Sequence, residues 1–101
     1  MTGAFLPEAI AEIEAAFHFY EDRSPGLGQD FKDEAQRTFE LVVLHPRAWK
    51  PIGGGLRQCK LNRFPYAIIY GVDRRRVVVV AVAGLRKKPG YWRKRLRKLR
   101  T

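Results

Sequence analysis

Between Ile10 and Tyr20 the apolar residues Ile10, Ile13, Phe17 and Tyr20 recur at spacings of three, four and three, which draws one face of a helix. Pro7 stands where that helix begins. Its fixed φ suits a first turn, and Glu8 lies next to the positive helix end. Ser24-Pro25-Gly26-Leu27-Gly28 breaks the pattern. The helical period resumes from about Gln29 to His45, with Phe31, Ala35, Phe39, Val42 and Val43 as its stripe, and Pro46 ends it. So short a link predicts an antiparallel helix hairpin. Ahead of it, Gly3 to Leu6 reads as a short edge strand.

From Leu56 the period changes to that of strands. Leu56–Leu61, Tyr66–Val72 and Arg76–Ala83 are rich in β-branched and aromatic residues. Asp73-Arg74-Arg75 is a tight turn, so the last two strands pair antiparallel; a parallel pair needs a dozen or more connecting residues. Val77 to Val82 is apolar on both faces, which predicts a central strand covered on both sides, one of them by the helix hairpin. After Lys87-Lys88-Pro89-Gly90, the residues Trp92, Leu96 and Leu99 fall on one edge of a short basic C-terminal helix. The expected fold is α+β: a short N-terminal strand, and an antiparallel helix hairpin packed on an antiparallel sheet of three main strands, closed by that helix. Phe17, Phe31, Phe39, Val78 and Val80 are expected in its core. With no repeat and no linker, residues 1–101 read as one domain.

The charge changes this picture most. Residues 1–45 hold nine acids against three bases, and residues 46–101 hold seventeen bases against Asp73 alone. A net +16 on the second half costs self-repulsion unless a polyanion neutralises it, so nucleic acid or an acidic protein is the expected partner. The lone Cys59 excludes an intramolecular disulfide and fits a reducing compartment. No run approaches the roughly 20 apolar residues of a membrane span, and no basic-then-apolar N-terminal segment appears, which predicts a cytoplasmic chain.

Most catalytic chemistries find no footing. His18, His45 and Cys59 have no metal-ligand spacing, so no metal and no cofactor are expected. Gly53-Gly54-Gly55 lacks the Lys-Ser/Thr of a phosphate loop and precedes a strand, which makes it a connector. The acids lie on the helix hairpin, mostly at positions facing solvent, so paired carboxylates are not expected either. What remains is a basic and aromatic group: Arg57, Lys60 and Arg63 around the first long strand, Tyr66 and Tyr70 on the next, and Arg86, Lys87, Lys88, Tyr91, Trp92 and Arg93 after the last. Cations engage phosphates, and rings stack on unpaired bases. A tyrosine or lysine among cations can have a lowered pKa and move a proton. Core packing is the competing use of Tyr66, Tyr70 and Trp92, and Arg57, alternating with Cys59 and Leu61, can instead be a structural partner of the acidic helices.

The stretch Arg63-Phe64-Pro65-Tyr66-Ala67-Ile68-Ile69-Tyr70 resembles the RelE/ParE toxins, and Val79-Val80-Ala81-Val82-Ala83-Gly84-Leu85-Arg86-Lys87-Lys88-Pro89-Gly90-Tyr91-Trp92-Arg93 resembles them more closely. Phe5-Leu6-Pro7-Glu8-Ala9 and Pro46 with Pro51 match too, so the resemblance spans nearly the whole chain. It implies the toxin of a bacterial type II toxin–antitoxin system, held by a small acidic antitoxin in a hetero-oligomer. The superfamily has two activities: metal-independent mRNA cleavage in the ribosomal A site, and inhibition of DNA gyrase without nuclease activity. Arg86 and Tyr91 are the strongest carry-overs, since they lie in the best-matching motif; with Lys60 they are the expected catalytic residues, and Arg57, Arg63, Lys87, Lys88 and Arg93 of the basic group are expected to bind nucleic acid. Cleavage at the ribosome is the first expectation, gyrase inhibition a close second, and a noncatalytic RNA-binding module the third. Two departures bear on cleavage. Many relatives carry histidine where Gly84 stands, and RelE itself has a catalytic arginine at about the position of Ala67.

Overall fold

The computed structural model describes residues 2–100, the side chains of Leu99 and Arg100 excepted. Strand β1 (Thr2–Phe5) leads into helices α1 (Pro7–Arg23) and α2 (Leu27–Leu44); strands β2 (Lys50–Gly53), β3 (Leu56–Lys60), β4 (Tyr66–Asp73) and β5 (Arg76–Gly84) follow, and a 3₁₀ helix (Tyr91–Arg100) closes the chain. The fold is α+β, as the periods predict. The sheet, however, has five strands in the order β1-β5-β4-β3-β2, not three main ones. β1 runs parallel to β5, and the other neighbours are antiparallel. β5 therefore lies inside the sheet, as its two-sided apolar run requires.

The helix hairpin covers one face. Phe31, Ala35 and Val42 of α2 and Ala9 and Ala16 of α1 bury themselves against Cys59, Ile68, Tyr70, Val77, Val79 and Val82. The inward line of α1 is thus Ala9, Ile13, Ala16 and Tyr20, about one residue round from the predicted stripe. Ile10 remains 51% exposed, and Phe17 is only half-buried. Small alanines on that line let the helix approach the sheet closely, which larger side chains would prevent. Phe39 is also half-buried; it packs its ring 4.6 Å from Phe5, over Gly3 of β1. Phe31, Val78 and Val80 are buried as expected.

The opposite face holds a second core of Leu56, Ala67, Ile69, Val80, Ala81 and Ala83, covered by Trp92 and Leu96 of the 3₁₀ helix. A register break between Ile69 and Tyr70 pairs them with Ala81 and Val79 and leaves Val80 as the extra residue of a β-bulge. The bulge puts Val80 and Ala81 on the same face. The expected C-terminal helix exists, but with 3₁₀ geometry, and the side chain of Leu99 lies outside the described residues.

Three acids of the helix hairpin work inside the fold, while most of the others face solvent as expected. Glu21 of α1 accepts from the backbone N–H groups of Gly26 (2.8 Å) and Gly28 (2.9 Å) and so caps α2, whose own N-cap glycine has no side chain. Buried Glu34 accepts from Asn62 N (2.5 Å) and Arg63 N (3.0 Å) and fixes the β3–β4 turn. Glu12 is the third, and it belongs to the candidate site.

Candidate functional site

The ends of β3, β4 and β5 nearest Gly84 carry most of the exposed cations named from the sequence. A cleft of about 240 Å³ opens there on the second face, lined by Gln58 and Lys60 of β3, Ala67 and Ile69 of β4, Ala83 and Gly84 of β5, then Leu85, Lys87, Pro89 and Trp92. A second cleft of about 280 Å³ lies round the sheet edge, between Phe19 and Tyr20 of α1 and Pro65, Tyr66, Gly84, Arg86 and Lys87. Gly84 and Lys87 wall both. The loop after β5 is held in place by backbone bonds from Leu85 N to Pro65 O (2.8 Å) and Lys87 N to Gly84 O (3.1 Å). The structure thus brings Lys60, Arg86 and Lys87 to one end of the sheet, with exposed Lys88 in the same loop. Arg63 is exposed in the β3–β4 turn and pairs with Asp30 at 3.6 Å.

The other named residues are engaged elsewhere. Arg57 points to the helix side of the sheet, where its Nη1 donates to the carbonyls of Arg47 (3.2 Å) and Trp49 (2.8 Å). It is a structural partner, but of the chain after α2 and not of the acidic helices. Tyr70 on the same side donates its hydroxyl to Pro46 O (2.6 Å). Arg93 reaches the far edge of the sheet, with Nη2 on Ile52 O (2.9 Å).

Tyr91 is the most consequential case. Its hydroxyl donates to Glu12 Oε2 at 2.5 Å. The same carboxylate takes a forked pair from Arg95, Nη1 to Oε1 at 3.0 Å and Nη2 to Oε2 at 3.1 Å, and the Val82 N–H at 3.0 Å. Arg95 Nη1 also donates to Val80 O (3.0 Å), the carbonyl of the bulge residue. Beyond Phe5, then, the outer edge of β5 is capped by a largely buried Glu12–Arg95 pair instead of a strand. Glu12 went unnoticed in the sequence. The signal was there: it lies between Ala9 and Ala16 on the inward side of α1, where a carboxylate needs partners.

No tyrosine is activated. Burial pushes the Tyr91 phenol far up, and its bond to Glu12 and that carboxylate's charge add to the shift. Burial likewise raises Tyr20, Tyr66 and, to about 12, Tyr70. For Tyr66, Tyr70 and Tyr91 the direction is the reverse of a phenol lowered by neighbouring cations, because desolvation of the phenolate dominates. Ala67, where RelE's arginine would stand, is buried in the second core and shares the Lys60 cleft with Trp92. The arrangement sets exposed cations beside an apolar floor, and its tyrosines are raised and not lowered.

Comparison with family models gives the class: residues 4–89 match the ParE toxin of the parDE type II toxin–antitoxin system. The chain belongs to the ParE toxin family. No curated protein matches it significantly. Among solved structures it is similar to a chain of the chromosomal ParDE TA system from P. aeruginosa, with TM-score 0.65 and 15% identity over 84% of this chain and 96% of that one. At that identity the likeness speaks for the fold.

Proposed function

We propose that this toxin arrests growth by holding its target, not by cutting it, as a ParE-like inhibitor of DNA gyrase in the cytoplasm, and that a small acidic antitoxin neutralises it. The observation behind this reading is the Tyr91 hydroxyl, which is closed off by Glu12 and stays protonated. A residue so placed fixes the 3₁₀ helix to α1 and is not available to move a substrate proton. Lys60, Arg86, Lys87 and Lys88 then act as exposed cations for an anionic surface, a role that asks for charge and position alone. Arg57 and Arg93, bound to carbonyls, serve the fold.

A second reading, cleavage of mRNA at the ribosome by Arg86, Tyr91 and Lys60, draws on the cleft where Lys60 and Lys87 meet, since two cations suit a phosphate and its transition state. Gyrase supercoiling and translation of a defined mRNA, run side by side with the purified chain, separate the two. Blocked supercoiling with intact mRNA is the expected result. Cut mRNA with normal supercoiling would replace this reading with the second.

A further inference from the structure

The β4–β5 hairpin turns in two residues, Arg74 and Arg75, and both have positive φ, 52° and 66°. This hand of turn matches the twist of the strands, but it strains an ordinary L side chain, so asparagine and glycine usually fill it. Here arginine takes both places, and Arg76 follows at once in β5. All three are exposed. Among the described residues none of them has an ion pair or a side-chain hydrogen bond, and Asp73, opposite Arg76 in register, forms no ion pair with it. Four other cations of the basic half are bound within the chain, Arg57, Arg93, Arg95 and Lys98, while Lys60, Arg86 and Lys88 are left outward like the hairpin arginines. The hairpin would fold better with Asn-Gly, and three adjacent cations repel one another. Strain and repulsion kept without a gain in folding point to a contact outside the chain.

We propose that Arg74, Arg75 and Arg76 form a second anion-binding element, for the phosphodiester backbone of a nucleic acid. Guanidinium groups grip phosphate oxygens with two parallel donors, which ammonium groups cannot do. Arg47 adds a fourth exposed cation at this end, on a cleft of about 180 Å³ that it shares with Val72, two residues before Arg74. An acidic protein would be held through buried apolar anchors, and here the hairpin offers only half-exposed Val72. A phosphate backbone requires no such anchor. At about 3.3 Å per residue, the length of β4 places this tip roughly 23 Å from the Lys60–Lys87 end. A duplex laid along the sheet would meet the two basic ends about two-thirds of a helical turn apart, at roughly 34 Å per turn. Such an element goes beyond gyrase inhibition and does not depend on it, because gyrase on DNA and the ribosome both present phosphate.

The test uses the full chain with three labelled probes: a short DNA duplex, an RNA hairpin and polyglutamate. Affinity is followed by anisotropy across a salt series. The variant R74N/R75G/R76T gives the turn residues it favours, so its melting temperature should equal or exceed the parent's. Its binding to DNA, RNA or both should weaken. On DNA the slope of log affinity against log salt should become shallower by about 0.9 for each phosphate contact removed. R74K/R75K/R76K should keep most of that slope. A response confined to one nucleic acid names the source, and either supports the element. If the Asn-Gly variant fails to fold, R76T alone should still lose one contact's share of the slope. An unchanged slope in the folded variant overturns the proposal. So does polyglutamate binding as tight as nucleic acid and equally lost in the variant, which would assign the tip to an acidic protein.

Discussion

At the scale of single residues, the side chains that mattered most were those whose partner lies far away in sequence. Lys60, Arg86 and Lys87 could be named from the chain because cations near the ends of strands stay exposed wherever the strands pair. Glu12's inward position can be read from its place between Ala9 and Ala16, but its partners cannot, since they meet it only once α1, β5 and the C-terminal segment come together. Tyr91, expected in the catalytic group, is instead tied to Glu12 with its phenol raised, because a lowered or raised phenol depends on burial, which sequence spacing does not show. Tyr91→Phe should therefore lower stability by about 1.5–3 kcal/mol, the usual net value of a hydrogen bond to a charged group, and leave growth inhibition intact. Denaturant unfolding and growth curves at matched expression check it; a folded variant without inhibition would reinstate a chemical role. Gly28 has a different reason to be glycine. A Cβ there would lie 2.5 Å from the backbone oxygen of Phe17, which cannot swing aside. Gly28→Ala should cost roughly 1–3 kcal/mol by overpacking the helix crossing. Gly84 contrasts with it, for its Cβ would meet the Tyr66 ring at 3.7 Å, an ordinary contact. Gly84→His should keep the parent's melting temperature. If glycine attenuates this toxin, the histidine variant will inhibit growth more strongly; equal inhibition at equal expression rules that out.

At the scale of elements, legibility followed local order. α1, α2, β3, β4 and β5 each carry a regular period and end within about two residues of the predicted bounds. β2 was missed because Lys50-Pro51-Ile52-Gly53 has one apolar residue, a proline and a register break, the marks of an edge strand and not of a core one. β1 was seen as a strand, but its parallel place beside β5 is set by contacts across more than seventy residues, which no local pattern encodes. The C-terminal segment shows the limit of periodicity most clearly. Trp92 and Leu96 do bury one edge, yet ten residues of 3₁₀ helix are long for that geometry and poorly supported by their own hydrogen bonds. Tethers from Tyr91 and Arg95 to Glu12, from Arg93 to Ile52 and from Lys98 to Glu8 hold it down. Arg95→Ala should thus speed amide exchange in Tyr91–Arg100 while β4 and β5 keep their protection. Uniform loss across the sheet would show instead that this segment folds and unfolds with the core.

At the scale of the whole molecule, the charge asymmetry seen in the sequence is partly settled within the fold. Glu8 and Glu12 of the acidic half bind Lys98 and Arg95 of the basic half, and the lowered carboxyl of Glu8 reflects first its bond to Lys98. What is left outside includes Lys60, Arg86, Lys87 and Lys88 at one end of the sheet and Arg74, Arg75 and Arg76 at the other. Among the described residues, the acids at the Gly84 end are already committed: Glu12 to the β5 edge, Glu34 to the β3–β4 turn and Asp30 to Arg63. An acidic antitoxin approaching Lys60, Arg86, Lys87 and Lys88 would therefore meet a positive field with little internal cancellation. Such fields act mainly on the association rate, and their reach shrinks to about 8 Å at physiological ionic strength. The association rate of toxin and antitoxin should fall steeply from low to high salt, while the dissociation rate changes less. Replacing Lys87 and Lys88 by glutamine should flatten that dependence and slow association at low salt, without altering the melting temperature, since both side chains are exposed. Stopped-flow mixing of the purified partners measures each quantity directly. A rate indifferent to salt in the parent chain would mean that apolar contacts alone guide the encounter, and a flattened slope with Arg74–Arg76 replaced instead would move the antitoxin's landing point to the other end of the sheet.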